Sequence, residues 1–230
     1  MHWIIHWHNK LDNLLKVKYN ITMSRLLILT GPQGSGNHLF SKCLALHEDV
    51  FGWNSLLNTY WEGHHLEPFA ECWDDPTKLD SFDWEQSEYF VTSVSSPYFK
   101  DKKPVVPNYI EFIEHAKQYV DGIDIGIIGR DQTILKYQQE RVRGKSTTNI
   151  ALDSFRWLLE NQDCTFLSQE LLQLYKSDYL EQVSRDLDWP ISYWDPEIDA
   201  ILSHDANNKY IKDVHEYWLD FEVHRAVRES

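Results

Sequence analysis

The chain has 230 residues, of which 42% are hydrophobic and 25% charged, the composition of an ordinary globular protein with one α/β domain. Its net charge of −14 disfavours a general nucleic-acid binder, because such proteins present a basic face to phosphate. No run reaches the roughly 18 apolar residues of a membrane span, and three scattered cysteines without metal-ligand spacing favour a reducing compartment. We therefore expect a cytoplasmic protein without a membrane span and without a nucleic-acid partner.

The first 22 residues differ in character from the rest of the chain. They carry His2, His6 and His8 ahead of a polar amphipathic stretch, and they lack the basic start and cleavage site of a signal peptide. Met23 directly precedes the first convincing strand. We interpret residues 1–22 as an extension, either non-native or a surface helix, with a histidine metal site as the alternative. Residues 23–230 then form a single domain.

Short apolar strands alternate with amphipathic helices along the remaining chain. Apolar runs and alternation predict strands over residues 26–30, 50–53, 89–94, 123–128 and 165–167. Helical periodicity and capping residues predict helices over residues 38–47, 108–120, 133–143, 149–160, 179–187 and 209–227. This order predicts an α/β fold, with a mainly parallel sheet flanked by helices on both faces.

A glycine-rich loop, Gly31 to Gly36, lies between the first predicted strand and the first predicted helix. Glycines let the backbone curl so that its N–H groups point inward, and the helix N-terminus adds free amides and the positive end of its dipole. Such a loop predicts a P-loop NTPase-like three-layer architecture that binds a phosphorylated nucleotide; a turn without a ligand is the alternative. The predicted nucleotide contacts are Gly31, Gln33, Gly34, Ser35, Gly36, Asn37 and His38.

The loop departs from the Walker A pattern at two positions. Gly31 and Gly36 have the Walker spacing, but Asn37 stands at the lysine position and His38 at the Ser/Thr position. The chain thus lacks both the cation that reaches the β- and γ-phosphates and the usual magnesium ligand. Standard γ-phosphate transfer is therefore disfavoured, and no metal is expected.

Three segments resemble the sulfotransferases that use 3′-phosphoadenosine 5′-phosphosulfate (PAPS). They are Ser35-Gly36 with the helix that follows, the strand from Ile125 to Arg130, and Phe166-Leu-Ser-Gln-Glu170. The resemblance implies that the glycine loop binds the 5′-phosphosulfate of PAPS. It also implies that Arg130 and a residue on the next helix hold the 3′-phosphate, as an arginine fork at a sheet's carboxyl edge can do.

The chain is similar to a divergent member of that family. The helix residue expected to share the 3′-phosphate is a serine in the family and Gln138 here, whose amide can still donate to phosphate. Gly34 stands where the family loop commonly carries a lysine.

Sulfuryl transfer needs a base to take the proton of the acceptor hydroxyl. Some relatives use a glutamate after the first helix–strand unit, where this chain has Glu62, His64 and His65. Histidine is attractive because its reference pKa lies near the operating pH. We take Glu62, His65 and the loop neighbour His38 as catalytic candidates, against the alternative of a packed or solvated cluster.

The predicted function is transfer of a sulfuryl group from PAPS to a hydroxyl acceptor, either a small molecule or a glycan. The aromatic and acidic stretch over residues 61–84 would suit a carbohydrate, because indole faces stack on the apolar faces of sugars. Two alternatives stay open: a P-loop nucleotide or nucleoside kinase, and a nucleotide-binding protein without catalytic activity.

Overall fold

The central sheet is built from parallel strands in the order Val50–Phe51, Tyr89–Ser96, Arg25–Pro32, Gly122–Gly129 and Cys164–Ser168. The structure is a computed structural model that describes residues 23–53, 67–101 and 103–203. The sheet strands are β1 (Arg25–Pro32), β2 (Val50–Phe51), β3 (Tyr89–Ser96), β6 (Gly122–Gly129) and β7 (Cys164–Ser168). In the register of the central strand, Thr30 lies opposite Val94 on β3 and Ile127 on β6. A separate antiparallel hairpin joins β4 (Tyr98–Lys100) to β5 (Lys103–Val105).

The helices connect these strands. They are α1 (Asn37–Leu44), α2 (Tyr109–Ala116), α3 (Gln132–Arg143), α4 (Thr148–Asn161), α5 (Gln169–Leu187) and α6 (Glu197–Ser203). Two short 3₁₀ turns, Ala70–Trp73 and Pro76–Ser81, precede β3. Side chains of Asn108, Asp131 and Ser168 cap the N-termini of α2, α3 and α5 by accepting backbone N–H bonds.

Apolar residues cover both faces of β1, which makes the sheet the middle of three layers. On one face, the strand residues Leu27 and Leu29 pack with residues of α1, α5 and α6, including Phe40, Leu180 and Ile201. On the other face, Leu26 and Ile28 pack with residues of α2 and α4, including Phe112 and Phe155. A strand that is buried on both faces reads as a continuous apolar run, and the sequence of β1 has that pattern.

The strand order confirms the predicted α/β fold with a mainly parallel sheet flanked by helices. From β1 the chain builds β2 and β3 on one side and then crosses to build β6 and β7 on the other. The carboxyl ends of all these strands meet at one edge, and a crevice at such a reversal is where open α/β sheets bind ligands. None of the helices in the described ranges is long and apolar enough to cross a membrane.

Two segments differ from the sequence-based expectation. Helix α5 begins at Gln169, ten residues before the predicted start at residue 179, and continues through a non-helical Lys176 with φ of 44°. Its first turns expose Leu171, Leu174 and Tyr175, so they lack the apolar stripe that signals an amphipathic helix. Residues 98–100 and 103–105, which lie outside the predicted strands, form the β4–β5 hairpin.

Several predictions fall outside the described residues. These are the extension over residues 1–22 with its three histidines, the candidates Glu62, His64 and His65, and the helix over residues 209–227.

Candidate nucleotide-binding site

The glycine loop lies at the carboxyl end of the central strand and leads directly into α1. Ser35 N–H donates to the Pro32 carbonyl over 3.0 Å, which closes the turn. Gly34 and Gly36 have left-handed backbone conformations, with φ of 89° and 100°. No side chain caps α1, and its first turn contains no acidic residue. The N-terminal amides and the positive dipole end of α1 therefore face the loop without a competing carboxylate.

The two left-handed glycines are also sites of close packing. A Cβ at Gly34 would lie 2.7 Å from Gln138 Oε1, and a Cβ at Gly36 would collide with Gln169 Oε1. Glycine is therefore required at both positions for backbone conformation and for space. Side chains from α3 and α5 thus pack directly onto the loop backbone.

Arg130, the residue after β6, reaches the loop from 96 residues away in sequence. Its Nη1 donates to the Gly34 carbonyl over 2.7 Å and to Gln138 Oε1 over 2.6 Å. The side chain is buried, with 6% of its residue surface exposed. The structure thus brings together three predicted contacts, Gly34, Arg130 and Gln138, and sets a buried cation beside a helix N-terminus.

Asn37 stands where a Walker loop has its lysine, and its side chain is held inside the protein. Its Nδ2 donates to Ser95 Oγ over 3.1 Å, and its Oδ1 accepts from Ser35 Oγ over 3.0 Å. The first bond ties the start of α1 to the end of β3, and the second holds Asn37 against the loop. The side-chain amide of Asn37 is therefore engaged within the protein, where it shapes the loop.

His38 is exposed in the first turn of α1, beside the loop. Its ring meets Trp53 edge to face, with 4.5 Å between the ring centroids. His38 therefore lies at the surface of the protein next to the loop.

Gln33 and Gln139 form a buried link between the loop and α3. Gln139 Nε2 donates to the Gln33 carbonyl over 2.8 Å, and its Oε1 accepts from Thr147 N–H over 2.7 Å. Sequence reasoning missed Gln139, because a glutamine in a polar helix gives no sign of being fully buried.

Gln169, the first residue of α5, was also missed. Only 2% of it is exposed, and neither atom of its amide has a hydrogen-bond partner. Its neighbour Glu170 accepts from Asp131 N–H over 2.8 Å and so links the first turn of α5 to the N-cap residue of α3. The resemblance places both residues in the third segment without assigning Gln169 a role.

Glu67 is a buried carboxyl group beside β3. Its Oε1 accepts from Ser93 N–H over 3.1 Å and its Oε2 from Phe69 N–H over 3.2 Å. The pairing of β2 with β3 ends at Phe90, so Ser93 N–H on β3 lies beyond the end of β2. The Glu67 side chain accepts the hydrogen bond from that N–H group instead. Burial raises the pKa of Glu67 to about 8, although its hydrogen bonds act in the opposite direction.

The described residues give little support to thiol or metal chemistry. Burial raises the pKa of Cys43 to about 12 and that of Cys72 to about 11, which keeps both thiols protonated at neutral pH. Within residues 23–53, 67–101 and 103–203, no three His, Cys, Asp or Glu side chains come close enough together to hold a metal ion.

Comparisons with known proteins give structural similarity at low sequence identity. No protein-family model matches the chain, and no curated protein matches it. The chain is similar to the crystal structure of sulfotransferase STF9 from Mycobacterium avium, with a TM-score of 0.44 and 12% identity. That similarity covers 85% of this chain and 71% of the other. The functional interpretation therefore depends on the residues of the site.

Proposed function

We propose that the protein binds PAPS at the carboxyl edge of its sheet and transfers the sulfuryl group to a hydroxyl acceptor. The observation that carries this proposal is the position of Arg130, whose guanidinium contacts the Gly34 carbonyl at the glycine loop. A phosphate cradle with a separate buried arginine beside it fits a nucleotide that carries phosphate at two places.

The loop and α1 suit the 5′-phosphosulfate. The helix start lacks acidic residues and a side-chain cap, so its amides can donate to phosphoryl and sulfuryl oxygens. Arg130 and Gln138 suit the 3′-phosphate, because a guanidinium makes strong charge-assisted bonds to phosphate and an amide adds a neutral donor.

A kinase is the weaker assignment at this site. Phosphoryl transfer from a triphosphate uses a lysine on the β- and γ-phosphates and a hydroxyl on magnesium. Here the Asn37 side chain is engaged with Ser35 and Ser95, and His38 replaces the hydroxyl. Sulfuryl transfer from PAPS uses neither group in this way, so the same departures are compatible with it.

In the transfer step, the acceptor oxygen attacks sulfur while the bond from sulfur to the phosphate oxygen breaks. A base takes the hydroxyl proton, and 3′-phosphoadenosine 5′-phosphate (PAP) leaves with the bonding electron pair. The loop amides and Arg130 would stabilise the charge that develops on the leaving phosphate. His38, Glu62 and His65 remain the proposed bases, and a glycan is a proposed acceptor. Glu67 is not proposed, because its carboxylate already binds two backbone N–H groups.

Calorimetric titration with PAPS, PAP and ATP with magnesium tests the proposal. We expect PAPS and PAP to bind at least about tenfold more tightly than ATP, because only they offer a 3′-phosphate to Arg130. A preference for ATP would contradict the proposal and favour the kinase. Binding of PAPS without release of PAP in the presence of hydroxyl acceptors would favour a binding protein without catalytic activity.

A further inference from the structure

The amide of Gln169 is a buried polar group without a hydrogen bond beside the glycine loop. It lies against Gly36, the residue at the N-terminus of α1, where it fills the space that a Cβ would need. Both its Nε2 and its Oε1 are buried and unpartnered. A buried polar group without a hydrogen bond destabilises the ligand-free protein. A bound ligand that hydrogen-bonds to this amide would remove that cost.

Gln138 and Gln139 also lie against the loop and have partners, whereas the Gln33 Oε1 in the loop itself is buried without one. Gln138 accepts from Arg130, and Gln139 binds Gln33 and Thr147. They hold the loop in shape. Gln169 packs as closely on the loop as Gln138 does, yet it makes no bond that would explain its burial.

With Asn37 at the Walker lysine position, the loop lacks the side-chain donor that would reach a ligand there. A Walker lysine at that position would reach the ligand's phosphates, but the Asn37 amide is turned toward Ser95 and Ser35. Gln169 approaches the helix start from the end of β7, on the edge of the sheet where Arg130 also lies.

We propose that Gln169 is an anion-binding residue that supplies, as a neutral donor, the side-chain contact that the loop lacks. This inference rests on the proposed function. It assigns the contact with the ligand oxygens at the N-terminus of α1 to the Gln169 amide. Rotation of the terminal amide turns an N–H of Nε2 toward a phosphoryl or sulfuryl oxygen held at Gly36. The dipole of α1 favours the same anion, and the amide binds it without adding a charge.

Replacement of Gln169 by methionine separates this role from a structural one. Methionine keeps the unbranched shape and removes the unpartnered polar atoms, so Gln169→Met should leave the thermal midpoint of the ligand-free protein unchanged or a few degrees higher. The same variant should bind PAP at least about tenfold more weakly by calorimetry, because one donor to an anion is lost. A purely structural glutamine would not move stability and affinity in opposite directions.

Gln173→Met is the matched control. Gln173 lies one turn further along α5, and its Nε2 is also buried without a partner. We expect this variant to bind PAP within about twofold of the wild type, inside the range of ordinary neutral substitutions. Gln169→Glu serves as a second variant, and it should weaken binding further because a carboxylate would repel the anion.

Affinity of Gln169→Met for PAP within twofold of the wild type would overturn the inference and leave the proposed function intact. Failure of the wild type to bind PAP would contradict the proposed function instead. The inference is then tested with inorganic sulfate as the probe, and equal sulfate affinity of the wild type and Gln169→Met would overturn it.

Discussion

At the scale of single residues, the site depends on a few buried polar groups whose partners come from distant parts of the chain. Arg130 is held by the Gly34 carbonyl and by Gln138, so its position is fixed before a ligand arrives. A side chain that is already ordered loses less conformational entropy on binding, which strengthens each contact it makes.

Arg130→Ala should remove the preference for a 3′-phosphate. We expect this variant to bind PAP about 100-fold more weakly than the wild type, because a charge-assisted contact contributes about 2–3 kcal/mol. Binding of adenosine 5′-phosphate, which has no 3′-phosphate, should change much less. Calorimetry on both nucleotides measures the difference. Arg156→Ala, which removes an exposed arginine on α4, is the control and should behave as the wild type does.

The raised pKa of Glu67 predicts how the free energy of unfolding depends on pH. Its pKa is about 8 in the folded protein against 4.5 in the unfolded chain, so the stability that Glu67 contributes is fully present below about pH 4.5 and is lost as the pH rises through 8. Between pH 5 and pH 8 the loss should be about 3 kcal/mol, at about 1.4 kcal/mol per pH unit over most of that interval. Urea unfolding at several pH values tests this, with Glu67→Gln as the variant that should lack this component of the slope. Identical pH dependence in the two proteins would contradict the assignment.

At the scale of elements, the loop between β1 and α1 is held by α3 and α5 as much as by its own turn. Gln139 joins the Gln33 carbonyl to the Thr147 N–H at the start of α4, so one side chain connects three elements. Gly36 lets the Gln169 side chain approach the backbone. The shape of the glycine loop is therefore a property of tertiary packing around a local motif.

Gln139→Leu should loosen this packing. The substitution leaves a buried carbonyl and a buried N–H without partners, and we expect the free energy of unfolding to fall by about 2–4 kcal/mol. Denaturant unfolding measures the change. Gln182→Leu on the exposed side of α5 is the comparison and should stay within about 0.5 kcal/mol of the wild type. Equal stability of the two variants would show that Gln139 does not hold the loop.

Two glycine substitutions separate backbone strain from packing. Gly36 and Gly144 both have left-handed conformations, but a Cβ at Gly144 meets nothing within 4 Å. Gly144→Ala should cost only about 1–2 kcal/mol of backbone strain and leave PAP binding unchanged. Gly36→Ala should cost more and abolish PAP binding in the same calorimetric assay, because its Cβ displaces Gln169. Normal PAP binding by Gly36→Ala would contradict the described packing.

At the scale of the whole molecule, the sheet, the loop and the position of Arg130 follow from patterns that the sequence carries locally. The apolar run over Leu26–Leu29 predicts a buried strand because both its faces are covered. Arg130 follows a second such run, and parallel strands bring their carboxyl ends to one edge. Local patterns thus suffice to predict the fold class and to place Arg130 at the same edge of the sheet as the loop, whereas its choice as a phosphate contact came from the resemblance to sulfotransferases.

The rest of the site depends on contacts that no local pattern records. Gln139, Gln169 and Glu67 are polar residues in polar or mixed segments, and their burial arises from elements far away in sequence. The early start of α5 was missed for a related reason, since its first turns expose Leu174 and Tyr175 and the helix is interrupted at Lys176. Hydrophobic periodicity detects helix and strand faces that are buried against a core. Buried polar side chains and the exposed first turns of α5 do not produce that pattern.

The most direct test of the central claim is a pair of calorimetric titrations of the wild-type protein with PAP and with adenosine 5′-phosphate. The two ligands differ only in the 3′-phosphate that is assigned to Arg130 and Gln138. We predict that PAP binds about 100-fold more tightly, the effect of one charge-assisted phosphate contact at a buried arginine. Equal affinity for the two nucleotides would contradict the assignment of this edge of the sheet to a 3′-phosphorylated donor.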